Sequence, residues 1–206
     1  MSSNGVDNLD LLERALQQMS AVIGGIRLEQ SGLPTPCAEW DVRTLVQHVT
    51  AKDLRNFAIR TRGETADWQA PADELGPNWQ AHFDEGAQQL LEVWATVDPD
   101  ATYTLPGGTE LPVRTQADQQ IAELCVHAWD LVQATGQDMP LDGEAAEHGL
   151  QWAQRMLKPE ARGPGKAFGE EVRVPDSAPV YDRLAGWFGR DPRWSATAAQ
   201  ATSSDR

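Results

Sequence analysis

The sequence predicts a mainly helical bundle, and three observations carry that expectation. Apolar residues recur at three- and four-residue steps through five segments, the mark of helices with one buried face. Gly and Pro punctuate the gaps between those segments. A hairpin signal occurs once, at Gly107-Gly108 between two short runs. With no internal repeat and no sustained heptad, helices packed on one another are the default architecture.

The first helix is expected over about Asn8 to Ile26, with Leu9, Leu12, Leu16, Met19, Ile23 and Ile26 on one face and Asn8 as N-cap. Gly32, Pro34 and Pro36 make the following stretch a loop. A second helix starts after Trp40 with Asp41 as N-cap and runs to about Arg60, its apolar side formed by Val42, Leu45, Val46, Val49 and Phe57. A third covers roughly Asn78 to Val97, with Phe83, Leu90, Leu91 and Trp94 inward. After the hairpin, the fourth spans Thr115 to Thr135 and stops at Gly136. The fifth covers Asp142 to Leu157, with Ala146, Gly149, Leu150, Ala153 and Leu157 on one face. Beyond Pro159, residues 171–175 could form a short strand, and Asp176 could cap a short helix through Tyr181, Leu184 and Trp187. The expected organisation is a bundle over residues 1–158, an extension packed on it over 159–194, and a disordered tail over 195–206.

Composition narrows the function. Hydrophobic residues at 40% and charged residues at 23% are ordinary for a globular chain of 206 residues. The 17 Lys and Arg against 31 Asp and Glu give a formal charge of −14. Such a surface repels phosphate backbones and anionic membranes, so neither nucleic acid nor membrane is an expected partner. No window approaches the ~18 apolar residues of a membrane span, and the N-terminus lacks the basic start and apolar run of a signal peptide. Cys37 and Cys125 form no CxxC pair, which fits reduced thiols in the cytoplasm. The charge leaves monomer and homodimer equally open.

One segment carries chemistry. In Ile121 to Val132, nine of twelve residues are apolar; the exceptions are Glu123, His127 and Asp130. At ~100° per residue these three share an arc of roughly 60° on a helix that is apolar nearly all round. Buried charge of this kind needs partners. Glu123 and His127, one turn apart, can ligate one ion; Asp130 can hold an imidazole N–H behind it. His48, beside Leu45 and Val49 on the second helix, is the best candidate for a third ligand. The competing reading is a core histidine hydrogen-bonded to a neighbouring carboxylate. Glu144 and His148 repeat the spacing on a face continued by Gln151 and Arg155, which reads as a solvated stripe, and His82 stands alone. No nucleotide-binding Gly-rich loop, GxSxG or HExxH occurs, Asp98-Pro99-Asp100 is not a calcium loop, and the eight Trp read as packing anchors.

The segments WDVRTLVQHV (40–49), ELCVHAWDL (123–131) and RLAGWFGRDPRW (183–194) together resemble an actinobacterial branch of the DinB-like superfamily, the mycothiol-dependent maleylpyruvate isomerase metal-binding family. The resemblance covers roughly residues 8–194. It implies a DinB-like four-helix bundle with a small hairpin and a short C-terminal strand and helix. It also implies a divalent metal held by His48, Glu123 and His127, with Asp130 in support. The characterised isomerases carry a further C-terminal domain, for which the residues after the fifth helix are too few, so no catalytic Arg is carried over; Arg183, Arg190 and Arg193 are candidates by type alone.

Three N and O donors suit zinc and leave one position open, while nickel, iron and manganese accept the same donors. The resemblance implies that a low-molecular-weight thiol, mycothiol, enters that position and attacks a small electrophilic substrate. The expected activity is therefore thiol-dependent S-transfer or isomerisation. Two alternatives remain: a hydrolase that activates water at the metal, and a metal- or small-molecule-binding protein without catalysis. Solvent at the fourth position favours an enzyme; a fourth protein ligand such as Asp130 favours a structural ion.

Overall fold

In the computed structural model, residues 7–37, 40–104, 108–163 and 168–196 are described. Helix α1 spans Asn8–Gly24 and buries Leu12, Leu16, Met19 and Ile23, while Leu9 and Ile26 pack at the edge of the core. Its cap is Asp7 rather than Asn8: the Asp7 carboxylate accepts the Leu9 N–H at 3.1 Å. The Asn8 amide turns away and donates to the Arg114 carbonyl and the Asp118 carboxylate across the bundle.

The second predicted helix is one continuous rod with an irregular middle. Asp41 caps α2 (Val42–Gln47) by accepting the Thr44 N–H at 2.8 Å. A π-helical turn, His48–Asp53, follows, and α3 (Leu54–Thr61) completes it. Helix α4 spans Trp79–Trp94 behind an Asn78 cap, one turn shorter than the periodicity suggested.

Strands β1 (Thr102–Thr104) and β2 (Glu110–Pro112) pair antiparallel, with Tyr103 opposite Leu111. The tip of this hairpin, including Gly107, lies outside the described residues. Helix α5 then runs Thr115–Thr135 and ends at Gly136, whose φ of 67° is the left-handed conformation a C-terminal glycine supplies. It is the central element, packing on α1, α2, α3, α6 and α7. Helix α6, Gly143–Met156, is capped by Asp142, which accepts the Glu144 and Ala145 N–H groups. Where α6 crosses α5, a Cβ on Gly149 would lie 2.8 Å from the Ala122 Cα, so glycine permits the close approach.

Residues 171–175 lie outside any strand: the Val172 N–H donates to the Gly186 carbonyl, and Val174 rests where a Gly186 Cβ would stand. With α7 beside it rather than a strand edge, the segment has nothing to pair with. Helix α7 spans Val180–Trp187, begins behind Pro179 rather than Asp176, and lies on α6 and α5. Leu184, Ala185 and Phe188 join the same buried core as α1 to α6. Of the expected tail, residues 197–206 lie outside the described residues. No described helix is long and apolar enough to cross a membrane.

Candidate metal centre

Helix α5 is buried nearly all round, and Glu123, His127 and Asp130 interrupt its apolar surface. His127 is 4% exposed and Asp130 0%. His127 Nδ1 lies 3.1 Å from Asp130 Oδ2, one turn on, and His127 Nε2 lies 3.8 Å from Glu123 Oε2, one turn back. The carboxylate at 130 thus fixes the imidazole so that Nε2 faces Glu123.

The α2–α3 rod brings His48 to the same place. The rings of His48 and His127 meet edge to face with centroids 5.5 Å apart. Trp40, the last residue before the Asp41 cap, lies 4.2 Å from the His48 ring and 6.0 Å from the His127 ring, forming an aromatic wall. Its backbone is pinned: the Thr35 hydroxyl donates to the Trp40 carbonyl, and the Trp40 N–H donates to the Cys37 carbonyl.

Sequence reasoning passed over Asp53. It is 4% exposed, and its Oδ2 lies 3.1 Å from His48 Nε2. At the α-helical pitch, residue 53 falls about 140° around from residue 48. The π turn, whose hydrogen bonds close five residues apart, returns Asp53 to the face of His48. One donor atom from each of His48, Asp53 and His127 lies within 4.8 Å of the others. Periodicity alone gives no sign of a π turn, and the five-residue spacing of His48 and Asp53 points away from a shared face.

Arg190, which follows α7, is the other buried partner at 8% exposure. Its Nε donates to Asp130 Oδ1 at 3.2 Å and its Nη2 to Asp130 Oδ2 at 2.9 Å, while Nη1 donates to the Phe188 carbonyl. Burial opposes charge on Asp130, but the guanidinium and His127 outweigh it and hold the carboxyl below its ordinary range. Burial pushes the His127 pKa down, with Asp130 opposing. Burial, and then the charge of Asp53, push Glu123 up to about 8. Burial thus works against charge on both His127 and Glu123, and Arg190, the buried cation beside them, is bonded to Asp130.

The other candidates are engaged elsewhere. His82 is exposed. His148 pairs with Asp118 at 2.7 Å rather than with Glu144, which binds Arg14 at 2.8 Å, so the expected stripe is two separate contacts. Arg183 pairs with Glu147 and Arg193 with Asp191. Cys125 is buried, its thiol pushed up to about 12 by desolvation; neither cysteine forms a disulfide. Cys37 lies close enough to Arg190 to act on its charge.

Residues 12–132 match the family described as the mycothiol maleylpyruvate isomerase N-terminal domain. An uncharacterized protein of Mycobacterium tuberculosis, from each of two strains, is 34% identical over 189 residues, covering 91% of this chain and 100% of its own length. Among solved structures, a mutant of the mycothiol-dependent maleylpyruvate isomerase superimposes with a TM-score of 0.57 at 16% identity, over 79% of this chain and 72% of that one. At that identity the likeness is one of fold.

Proposed function

This chain belongs to the mycothiol maleylpyruvate isomerase N-terminal domain family, and from that premise we propose that it holds one divalent metal ion through His48, Glu123 and His127 and acts with a low-molecular-weight thiol as an S-transferase or isomerase. Mycothiol is the thiol the family name suggests, and a small electrophile is the substrate class. The observation that carries the reading is the convergence of two imidazoles from separate elements, 5.5 Å apart, on buried carboxylates.

The donor types suit such an ion, with the two imidazoles already together and Glu123 beside His127. Ligands ~2.0–2.1 Å from a tetrahedral zinc stand about 3.3 Å from one another. The His127–Glu123 separation of 3.8 Å is within a small side-chain adjustment of that value. His127 presents Nε2 because Asp130 occupies Nδ1. When bound, a divalent ion would lower the pKa of a thiol at its open position to near neutrality and so supply a thiolate. Trp40 walls the pocket on the His48 side and limits water there. Glu123 must be ionised to ligate, so metal affinity rises with pH.

Such a thiolate would supply reversible addition to a conjugated double bond, allowing rotation about the resulting single bond and cis–trans isomerisation on its expulsion, or S-transfer where the substrate carries a leaving group. Arg190 is committed to Asp130, while Arg183 pairs with Glu147 and the exposed Arg193 with its near neighbour Asp191, so none of the three is assigned to the substrate.

Untagged protein is expected to carry metal stoichiometrically by elemental analysis, and His48→Ala and His127→Ala to lose it. With metal, mycothiol and simple electrophiles, the rate should exceed the metal-free control. Turnover that needs no thiol would point to hydrolysis instead, and tightly held metal without turnover to a binding protein.

A further inference from the structure

We propose that Asp53 is a fourth protein donor to the same ion, so that the centre is built from two imidazoles and two carboxylates. This rests on the metal reading above and deepens it. The π turn is the first support. An α-helical rod would carry Asp53 away from His48, whereas the turn over His48–Asp53 stacks the two side chains on one face. Such turns are rare in helices and concentrate at functional sites.

The geometry is the second support. The 3.1 Å between His48 Nε2 and Asp53 Oδ2 is the edge length of a coordination polyhedron, and His127 closes the trio within 4.8 Å. His127 and Glu123 supply a second edge from α5 at 3.8 Å. The trio within 4.8 Å is His48, Asp53 and His127; Glu123 stands beside it, 3.8 Å from His127 Nε2, and its side chain would swing in to complete the set. Charge is the third support. Asp53 and Glu123 are both buried or nearly so, and the nearby cation, Arg190, is bonded to Asp130. Ionising both carboxylates in so buried a place is costly, and one divalent ion held between them would offset that cost.

The added carboxylate changes what the centre favours. Four protein donors would close a tetrahedral zinc, but they leave two positions open on a six-coordinate ion. The harder, oxygen-richer set thus favours an ion of the manganese or iron type, with room for both a thiol and a substrate oxygen.

Cobalt titration of the metal-stripped, full-length protein tests this by visible absorption, with circular dichroism verifying the fold. Wild type is expected to bind one cobalt with distinct d–d bands. In Asp53→Asn, which can still accept a hydrogen bond from His48, the bands should shift and affinity should fall at least 100-fold. Bands at the wild-type positions in Asp53→Asn would overturn Asp53 as a donor and leave the three-ligand site intact. Folded wild type that binds no cobalt would overturn the metal reading and this one with it. A crystal of cobalt-loaded wild type decides the matter without a variant. An anomalous peak ~2.0–2.2 Å from a carboxylate oxygen of Asp53 supports direct ligation, and a peak beyond about 3 Å refutes it.

Discussion

Arg190 grips Asp130 through both carboxylate oxygens, at 3.2 and 2.9 Å, and the second of those oxygens also faces His127 Nδ1 at 3.1 Å. A residue beyond the last helix thereby sets the orientation of an imidazole at the centre of the bundle. This chain of contacts gives the C-terminal segment a task at the site, although none of its residues belongs to the proposed donor set.

Arg190→Ala is expected to leave the fully buried Asp130 carboxylate uncompensated, a loss of about 3–5 kcal/mol in denaturant unfolding. It should also loosen His127 and weaken metal binding about 10–100-fold. Arg190→Lys keeps the charge but not the two-pronged geometry and should fall between. Pairing Arg190→Met with Asp130→Leu should recover much of the stability but none of the metal affinity. Recovery of both would show that the contact does not orient His127.

Glu123 sets a pH dependence that can be isolated. Its folded pKa, about 8, lies above the ordinary 4.5, so the metal-free fold binds a proton that the unfolded chain releases. Its contribution is complete below about 4.5 and is lost as pH rises to about 8. The stability of metal-free wild type minus that of Glu123→Gln, from urea titrations at several pH values, should fall across this window by on the order of a few kcal/mol. Saturating metal should reverse the slope, because ligation requires the ionised carboxylate. A flat difference would mean that Glu123 is solvated in the folded protein.

The helices were legible because their apolar periodicity is long and regular: α5 begins at Thr115 and ends at Gly136 as the pattern requires. Glu123, His127 and Asp130 stood out because charge on a mostly buried, mostly apolar helix face requires partners. Asp53 did not, since it lies on His48's face only after a π turn whose formation depends on tertiary packing. Arg190 was one of three similar arginines, and its partner is sixty residues away in the chain. Asp176 resembled a helix cap, yet Pro179 fixes the start of α7 three residues later.

The α5–α6 crossing should be sensitive to a single methyl group. Gly149→Ala gains up to ~1 kcal/mol in helix propensity, but its Cβ would stand 2.8 Å from the Ala122 Cα, which is backbone and cannot yield alone. Overpacking of that kind costs about 1–3 kcal/mol. Net destabilisation of about 1–2 kcal/mol is expected from thermal or urea unfolding. Gly143→Ala is the control: its Cβ meets only Val180 at an ordinary 3.6 Å, and stability should move by no more than about 0.5 kcal/mol. Equal effects at the two positions would mean that α5 and α6 can separate freely.

Trp40 should govern how quickly metal leaves rather than where it binds. Its ring covers His48 at 4.2 Å, and its backbone is tied into the preceding loop by the Thr35 and Cys37 contacts, so it forms a held wall rather than a swinging cover. Removing the ring in Trp40→Ala opens the pocket to water and frees the His48 imidazole to rotate. Metal release into excess chelator should accelerate about 10-fold or more, the equivalent of ~1.4 kcal/mol in the barrier. Trp40→Phe keeps a smaller aromatic face and should release at an intermediate rate. Cobalt band positions should stay unchanged in both, because no donor has been altered. An unchanged release rate in Trp40→Ala would place the exit path elsewhere and leave the indole with a packing role alone.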